Sequence, residues 1–129
     1  CPPGNSVHGG MGVIQKGDVV VLFSKGGNTL EILNYIPCCK AKGAMIIGVT
    51  QNDDSVLARE ADIYFKIVAE HESDMWDMCA SASCNTIAAV WDAVAFTVMK
   101  YNGYTKKDLL LTHPGGKVGE LLKREKDRE

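Results

Sequence analysis

The sequence has almost no charge imbalance, no C-x-x-C pair and no apolar run that spans a bilayer comfortably, and each lack closes off a class of function. Lysine and arginine number 14 against 16 aspartates and glutamates, a net charge of −2 over 129 residues. A chain so near neutrality, with basic residues gathered only in its last few positions, carries no footprint for nucleic acid. The five cysteines (Cys1, Cys38, Cys39, Cys79 and Cys84) are odd in number and include an adjacent pair. They match no disulfide framework, which fits a reducing cytoplasm. The longest apolar-rich stretch, 87–99, holds Asp92 at its middle and is read as no membrane span. No signal peptide, internal repeat or low-complexity linker is found. What remains is one domain over residues 1–129, 46% apolar and long enough to bury a core. It opens on Cys1-Pro2-Pro3 and already reads as mid-fold, so the expectation is a piece of a longer protein.

Residues 1–17 are punctuated by Pro2, Pro3 and five glycines and read as loop. Residues 18–23 are a strand whose apolar residues do not alternate, which predicts burial on both faces. Asn28 or Thr29 is placed to cap a helix reaching about Ala41, with Leu30, Leu33 and Ile36 or Pro37 on its buried face. Pro37 requires that helix to kink or to begin again. Strands follow at 44–50 and 62–68, joined by a short helix over 55–61. Strand and helix alternating at this spacing predict right-handed βαβ crossovers and a parallel α/β sheet. Residues 83–101 are apolar on nearly every side and predict a helix buried all round, against the sheet and another subunit. A short turn or helix at 105–111, a sharp loop at 112–116 and a charged helix over 117–127 close the chain. Three strands are few for an independent sheet of this kind.

The turn after the first strand, Ser24-Lys25-Gly26-Gly27-Asn28-Thr29-Leu30-Glu31, joins backbone amides, two hydroxyls and a helix N-terminus at a strand end, an arrangement suited to phosphate. Ligands of parallel α/β sheets collect on that rim, and Glu31 and Glu72 both follow strand ends. Two histidines sit in glycine-rich segments, Ser6-Val7-His8-Gly9-Gly10-Met11-Gly12 and His113-Pro114-Gly115-Gly116. Each residue also has a plainer reading. Glu31 suits the first turn of any helix, Glu72 belongs to an acidic stretch with Glu70, Asp74 and Asp77, and Ser81 and Ser83 suit helix capping. Lys25 reads either as a phosphate contact or as solvated, and Asp92 as a paired core carboxylate or a subunit contact. His71, Cys79 and Cys84 have no common zinc-ligand spacing, so no metal site is assigned. The joint occurrence of these groups in chain order is the stronger signal.

Residues 24–31 resemble the S-x-S-G-x-(S/T)-x-E signature of sugar isomerase (SIS) domains. The segment 6–12 is similar to A-x-H-G-D-L-G of the arabinose-5-phosphate isomerase branch, and 113–119 to that branch's H-P-G-G-x-L-G ending. The resemblance covers essentially the whole chain and implies a flavodoxin-like three-layer α/β sandwich with a five-stranded parallel sheet, assembled as homodimers or homotetramers. The first strands and a G-x-G-K-S segment carrying a site lysine would precede Cys1. It also implies a cytoplasmic aldose–ketose isomerase of sugar phosphates working through a cis-enediol, with no metal or organic cofactor and neither membrane nor nucleic acid as partner. Of the branch's site residues, His8, Glu31, Glu72 and His113 map here. Glu72 or His113 would move the C1/C2 proton, with His8 and Glu31 orienting hydroxyls or assisting ring opening. Ser24, Gly27, Asn28, Thr29, Ser81 and Ser83 would hold the phosphosugar. The alternative is a non-catalytic phosphosugar sensor. Three departures stand out: Gly26 for the second serine, Gly10 for aspartate, and 73–84, which puts Trp76 and two acids beside Glu72.

Overall fold

The computed structural model describes residues 3–128, so Cys1 and Pro2 of the expected opening loop lie outside it. Two short 3₁₀ turns, Pro3–His8 and Gly10–Val13, stand where an unbroken loop was expected. Gly9 separates them at φ 91°, a left-handed value open to glycine. There follow β1 (Val19–Phe23), α1 (Leu30–Leu33), α2 (Tyr35–Lys42), β2 (Met45–Thr50), α3 (Val56–Glu60), β3 (Ile63–Lys66), α4 (Ala82–Tyr101), α5 (Lys106–Thr112) and α6 (Gly116–Lys126). The chain forms two compact units, Cys1–Ile87 and Ala88–Glu129.

In the first unit the three strands pair in parallel in chain order, with Val21 opposite Ile47 and Ile47 opposite Ile63. Paired residues of a parallel sheet share a face, so Val20, Leu22, Ile46 and Gly48 point one way. Leu22 and Ile46 meet Ile32, Tyr35, Ile36, Cys39 and Leu57 there, and these form the core. Gly48 lets α3 lie close on β2, since a Cβ would stand 2.8 Å from the Ala61 Cβ and 3.0 Å from the Leu57 carbonyl. The other face carries Val19, Val21, Phe23, Met45, Ile47, Ile63 and Phe65, apolar throughout, with Val19, Met45 and Ile63 exposed. Burial of β1 on both faces is therefore not what a single copy of this chain shows. A run of apolar residues records what a strand can bury, not what lies against it.

The helix expected over 28–41 is two helices, because Asn34 ends α1 and serves as the N-cap of α2. Pro37 then falls in the first turn of α2, where its missing N–H is not needed. The restart also alters the buried face. Leu30 is exposed, while Ile36 is buried and Leu33 packs against the core as expected, joined there by Ile32, Tyr35 and Cys39. Gly43 closes α2 in a left-handed conformation, φ 71°.

Helix α4 departs furthest from expectation. Ser83 is its one buried residue, and Phe96, Val98 and Tyr101 are exposed along with Asp92. It is 20 residues long and contains an 18-residue window of mean hydropathy 1.3, long and apolar enough to cross a membrane by length and composition alone. Gly103 (φ 65°) ends it, and Thr105 with Asp108 forms a reciprocal capping box that starts α5.

Candidate functional site

The turn between β1 and α1 is built by its own hydroxyls. Ser24 is buried, and its Oγ lies 2.8 Å from the Thr29 Oγ1 while accepting the Gly27 amide at 3.0 Å. Gly27 takes φ 70°, and a Cβ there would stand 2.1 Å from the Ser55 Oγ and 2.3 Å from its Cβ. No other residue fits that position. The turn is also tied to the next crossover. The Lys25 carbonyl accepts the Thr50 Oγ1 hydroxyl at 2.9 Å and the Gln51 amide at 3.2 Å.

The first amides of α3 are spent on this turn rather than left for a ligand. Val56 N–H donates to the Asn28 Oδ1 at 3.0 Å and Leu57 N–H to the Gly27 carbonyl at 3.1 Å, while Ala58 N–H is capped by the Ser55 Oγ at 3.2 Å. Asn28, a predicted phosphosugar contact, spends its Oδ1 as a strut to α3, while its Nδ2 lies 3.3 Å from the Gly26 carbonyl. Ser24 and Thr29 bring their hydroxyls together on the rim of the sheet.

Glu72 is drawn into the same region. Its side chain is 3% exposed, and Lys25 Nζ donates to Oε1 at 2.8 Å from a side chain 34% exposed. Oε2 accepts the Ser81 amide at 2.9 Å, the Ser81 hydroxyl at 3.3 Å and the Ser83 amide at 3.1 Å. Glu72 therefore caps α4 from ten positions before the helix begins, a role the hydroxyls of Ser81 and Ser83 were expected to fill. The Lys25 ammonium and then the Ser83 and Ser81 donors hold the Glu72 carboxyl far below the usual carboxylate range. These donors all favour the ionised form of Glu72. A small cavity lined by Lys25, Val49, Thr50, Gln51, Ile67 and Ile87 adjoins the pair.

The acidic stretch after Glu72 is at the surface, yet its carboxylates are engaged by the loop's own donors. Asp74 accepts the amides of Trp76, Met78 and Cys79 at 2.9, 3.0 and 2.7 Å. Asp77, at φ 58°, accepts the Glu72 amide through Oδ1 and pairs its Oδ2 with His71 Nδ1 at 2.9 Å. Those donors lower both carboxyls, Asp74 chiefly through the Cys79 amide and Asp77 chiefly through the Glu72 amide. The loop is wound around three anions, while Met75, Trp76 and Met78 project into solvent.

Of the remaining predicted residues, His8 ends the first 3₁₀ turn, which packs on α1, the helix that carries Glu31; both side chains are exposed. Lys42 pins the adjoining segment by donating to the Ile14 carbonyl at 2.7 Å and to those of Met11 and Gly12 at 3.3 Å. His113 belongs to the second unit, where it follows α5 and donates its amide to Leu109 O at 2.8 Å. Gly119 of α6 comes against the loop after it, since a Cβ would stand 2.4 Å from the Pro114 carbonyl. Sequence reasoning left Lys25 open and did not foresee the amides that Asp74 and Asp77 gather. Lys25 stands inside the signature, and that position was the available signal. No cluster of His, Cys, Asp and Glu suited to a metal occurs among the described residues.

Comparison with known proteins supplies the family. The SIS domain family matches residues 2–100. Arabinose 5-phosphate isomerase KdsD of Pseudomonas aeruginosa is 32% identical over 120 residues, and that of Yersinia pestis 33%. In both cases the match covers 93% of this chain and 37% of the relative, so the chain spans little more than a third of those proteins. Among solved structures, a Listeria monocytogenes protein provisionally named a sugar-phosphate isomerase superposes with TM-score 0.84 at 50% identity, over 88% of this chain and 59% of that one. A protein of Escherichia coli CFT073 in complex with arabinose 5-phosphate gives TM-score 0.82 at 35% identity, over 87% of this chain and 60% of that one. With a parallel α/β sheet and the signature turn both in place, the chain belongs to the SIS domain family.

Proposed function

We propose that the protein containing this chain is an aldose–ketose sugar-phosphate isomerase of the arabinose 5-phosphate isomerase type. The observation that carries this reading is the buried Glu72 carboxylate, held on the rim of the sheet by the lysine of the hydroxyl-lined turn. The phosphate sits on the Ser24–Thr29 turn and the sugar extends toward Glu72. The aldose loses a proton from C2 to a base, forming a cis-enediol, and regains one at C1 while a proton passes between O1 and O2. Glu72 or His113 shuttles the carbon-bound proton, and His8 and Glu31 orient the hydroxyls or open the ring. The relatives named arabinose 5-phosphate isomerase and the fold shared with a protein holding arabinose 5-phosphate support this substrate class.

One observation favours a second reading, a phosphosugar sensor without turnover. Glu72 is fully engaged as a helix cap and ion pair, which a binding module would need for shape alone. Assays of the intact protein with a panel of pentose and hexose phosphates separate the two. Turnover, lost in Glu72→Gln and His113→Ala with phosphosugar binding not weakened, supports the isomerase. Tight binding with no turnover of any sugar supports the sensor.

A further inference from the structure

We propose that Lys25 is a shared cation of this site, whose ammonium partners either Glu72 or the phosphate of a bound sugar phosphate, so that substrate binding frees one oxygen of Glu72. This rests on the reading of residues 24–29 as the phosphate turn. Three features of the geometry lead to it.

Lys25 stands within the turn, between Ser24 and Gly26, yet its side chain reaches a residue 47 positions away. Its backbone is pinned through the carbonyl by Thr50 and Gln51, so only the flexible side chain has freedom to change partner. At 34% exposed against 3% for Glu72, the ammonium is the member of the pair that an incoming anion meets. A phosphate dianion on Ser24 and Thr29 competes for it with more charge than a single carboxylate.

The bonds on Glu72 are divided between its oxygens. Oε1 is held by Lys25, while Oε2 is held by Ser81 and Ser83. Departure of Lys25 therefore leaves the carboxylate in place, fixed through Oε2, with Oε1 open to a substrate proton. A base must be both placed and unsatisfied, and this division supplies both.

The surroundings leave Lys25 as the controlling charge. From the loop, Asp77 faces the Glu72 backbone with His71 on its far oxygen, and Asp74 is turned toward the amides of 76–79. The start of α4 offers amides and hydroxyls only. Gly26, in place of a hydroxyl-bearing residue, leaves Lys25 as the side-chain donor beside Ser24.

The test is a ¹³C titration of the Glu72 carboxyl in the intact protein, assigned by its loss in Glu72→Gln, with and without arabinose 5-phosphate or inorganic phosphate. Either anion is expected to raise the Glu72 midpoint by about 1 pH unit or more, a tenfold change in proton affinity. Lys25→Met raises it without ligand and abolishes the response, and Lys25→Arg keeps the response. By reciprocity Glu72→Gln tightens inorganic phosphate binding several-fold, a readout that needs no lysine variant to fold. A Glu72 midpoint unmoved by both anions, or phosphate binding unchanged in Glu72→Gln, overturns the proposal. If the midpoint moves but no sugar phosphate is turned over, the isomerase reading falls and the shared cation stands.

Discussion

Replacing Gly27 by alanine tests how the phosphate turn is built, because a single methyl there meets three separate obstacles. The residue sits at φ 70°, where an L side chain costs about 1–2 kcal/mol. The new Cβ would stand 2.1 Å from the Ser55 Oγ and 2.8 Å from the Thr50 Oγ1. Neither neighbour has room to retreat, since both are buried and Ser55 is the N-cap of α3. Displacing Ser55 forfeits a cap worth about 1 kcal/mol. Moving the turn instead breaks the bond from Leu57 N–H to the Gly27 carbonyl, worth about 1 kcal/mol. Alanine recovers about 0.4–1 kcal/mol through a less flexible unfolded chain. The net loss expected is about 1–3 kcal/mol, a sizeable share of a typical stability of about 5–15 kcal/mol.

Urea unfolding of the intact protein measures the loss, and a double-mutant cycle tests its cause. Ser55→Gly removes both atoms that the new methyl strikes hardest. The pair Gly27→Ala with Ser55→Gly should therefore lose less than the sum of the two single changes, by about 1 kcal/mol or more. Additive losses, or a Gly27→Ala loss below about 1 kcal/mol, would refute the steric account.

Two further outcomes follow from the same kind of contact. Gly119→Ala ordinarily strengthens a helix by about 1 kcal/mol, but here the Cβ would meet the Pro114 carbonyl carbon and oxygen at 2.4 Å, backbone atoms with no rotamer to change. Thermal unfolding should show destabilisation and NMR a shifted His113 ring; a more stable variant would show that α6 is free to move. The loop at 72–83 should respond to acid with a definite sign. Glu72, Asp74 and Asp77 all titrate lower in the fold than in the unfolded chain, so their contribution is complete above the ordinary carboxylate value, near pH 4. It is lost as pH falls through the lower folded values. Hydrogen exchange at the amides of Trp76, Met78, Cys79, Ser81 and Ser83 should stay slow down to about pH 4 and quicken only below it; quickening near neutrality would assign the loop's order to another group.

What could be read in advance divides along the distance between interacting residues. The strands at 19–23, 45–50 and 63–66 were legible because β-branched runs are bounded by glycine and Asx turns, and Ser55 was legible as the start of α3. The turn at 24–29 was legible because its hydroxyls and glycines lie side by side in the chain. The partner of Lys25 was not, because 47 residues separate it from Glu72. Asp74 and Asp77 look the same in sequence whether they face water or gather amides, and only the folded loop decides. Helix α4 differs for the opposite reason: its pattern gives an apolar surface, and a pattern holds no information about whether one copy of the chain or a second covers it.

Gly26 ties these observations to substrate choice. A Cβ at this position would meet nothing within 4 Å, and its φ lies outside the left-handed region, so neither packing nor backbone demands glycine. Gly27, one residue on, is demanded by both. The absence of a hydroxyl at 26 is therefore a property of the ligand side of the turn and not of the fold. If this turn holds the phosphate as proposed, its side-chain donors are Ser24, Thr29 and Lys25, and Lys25 is the one that is also bound to Glu72. A turn with a second serine can hold phosphate without disturbing its acid–base group. On the proposals made above this turn does not, and the strength of its grip and the readiness of Glu72 are set by the same ammonium.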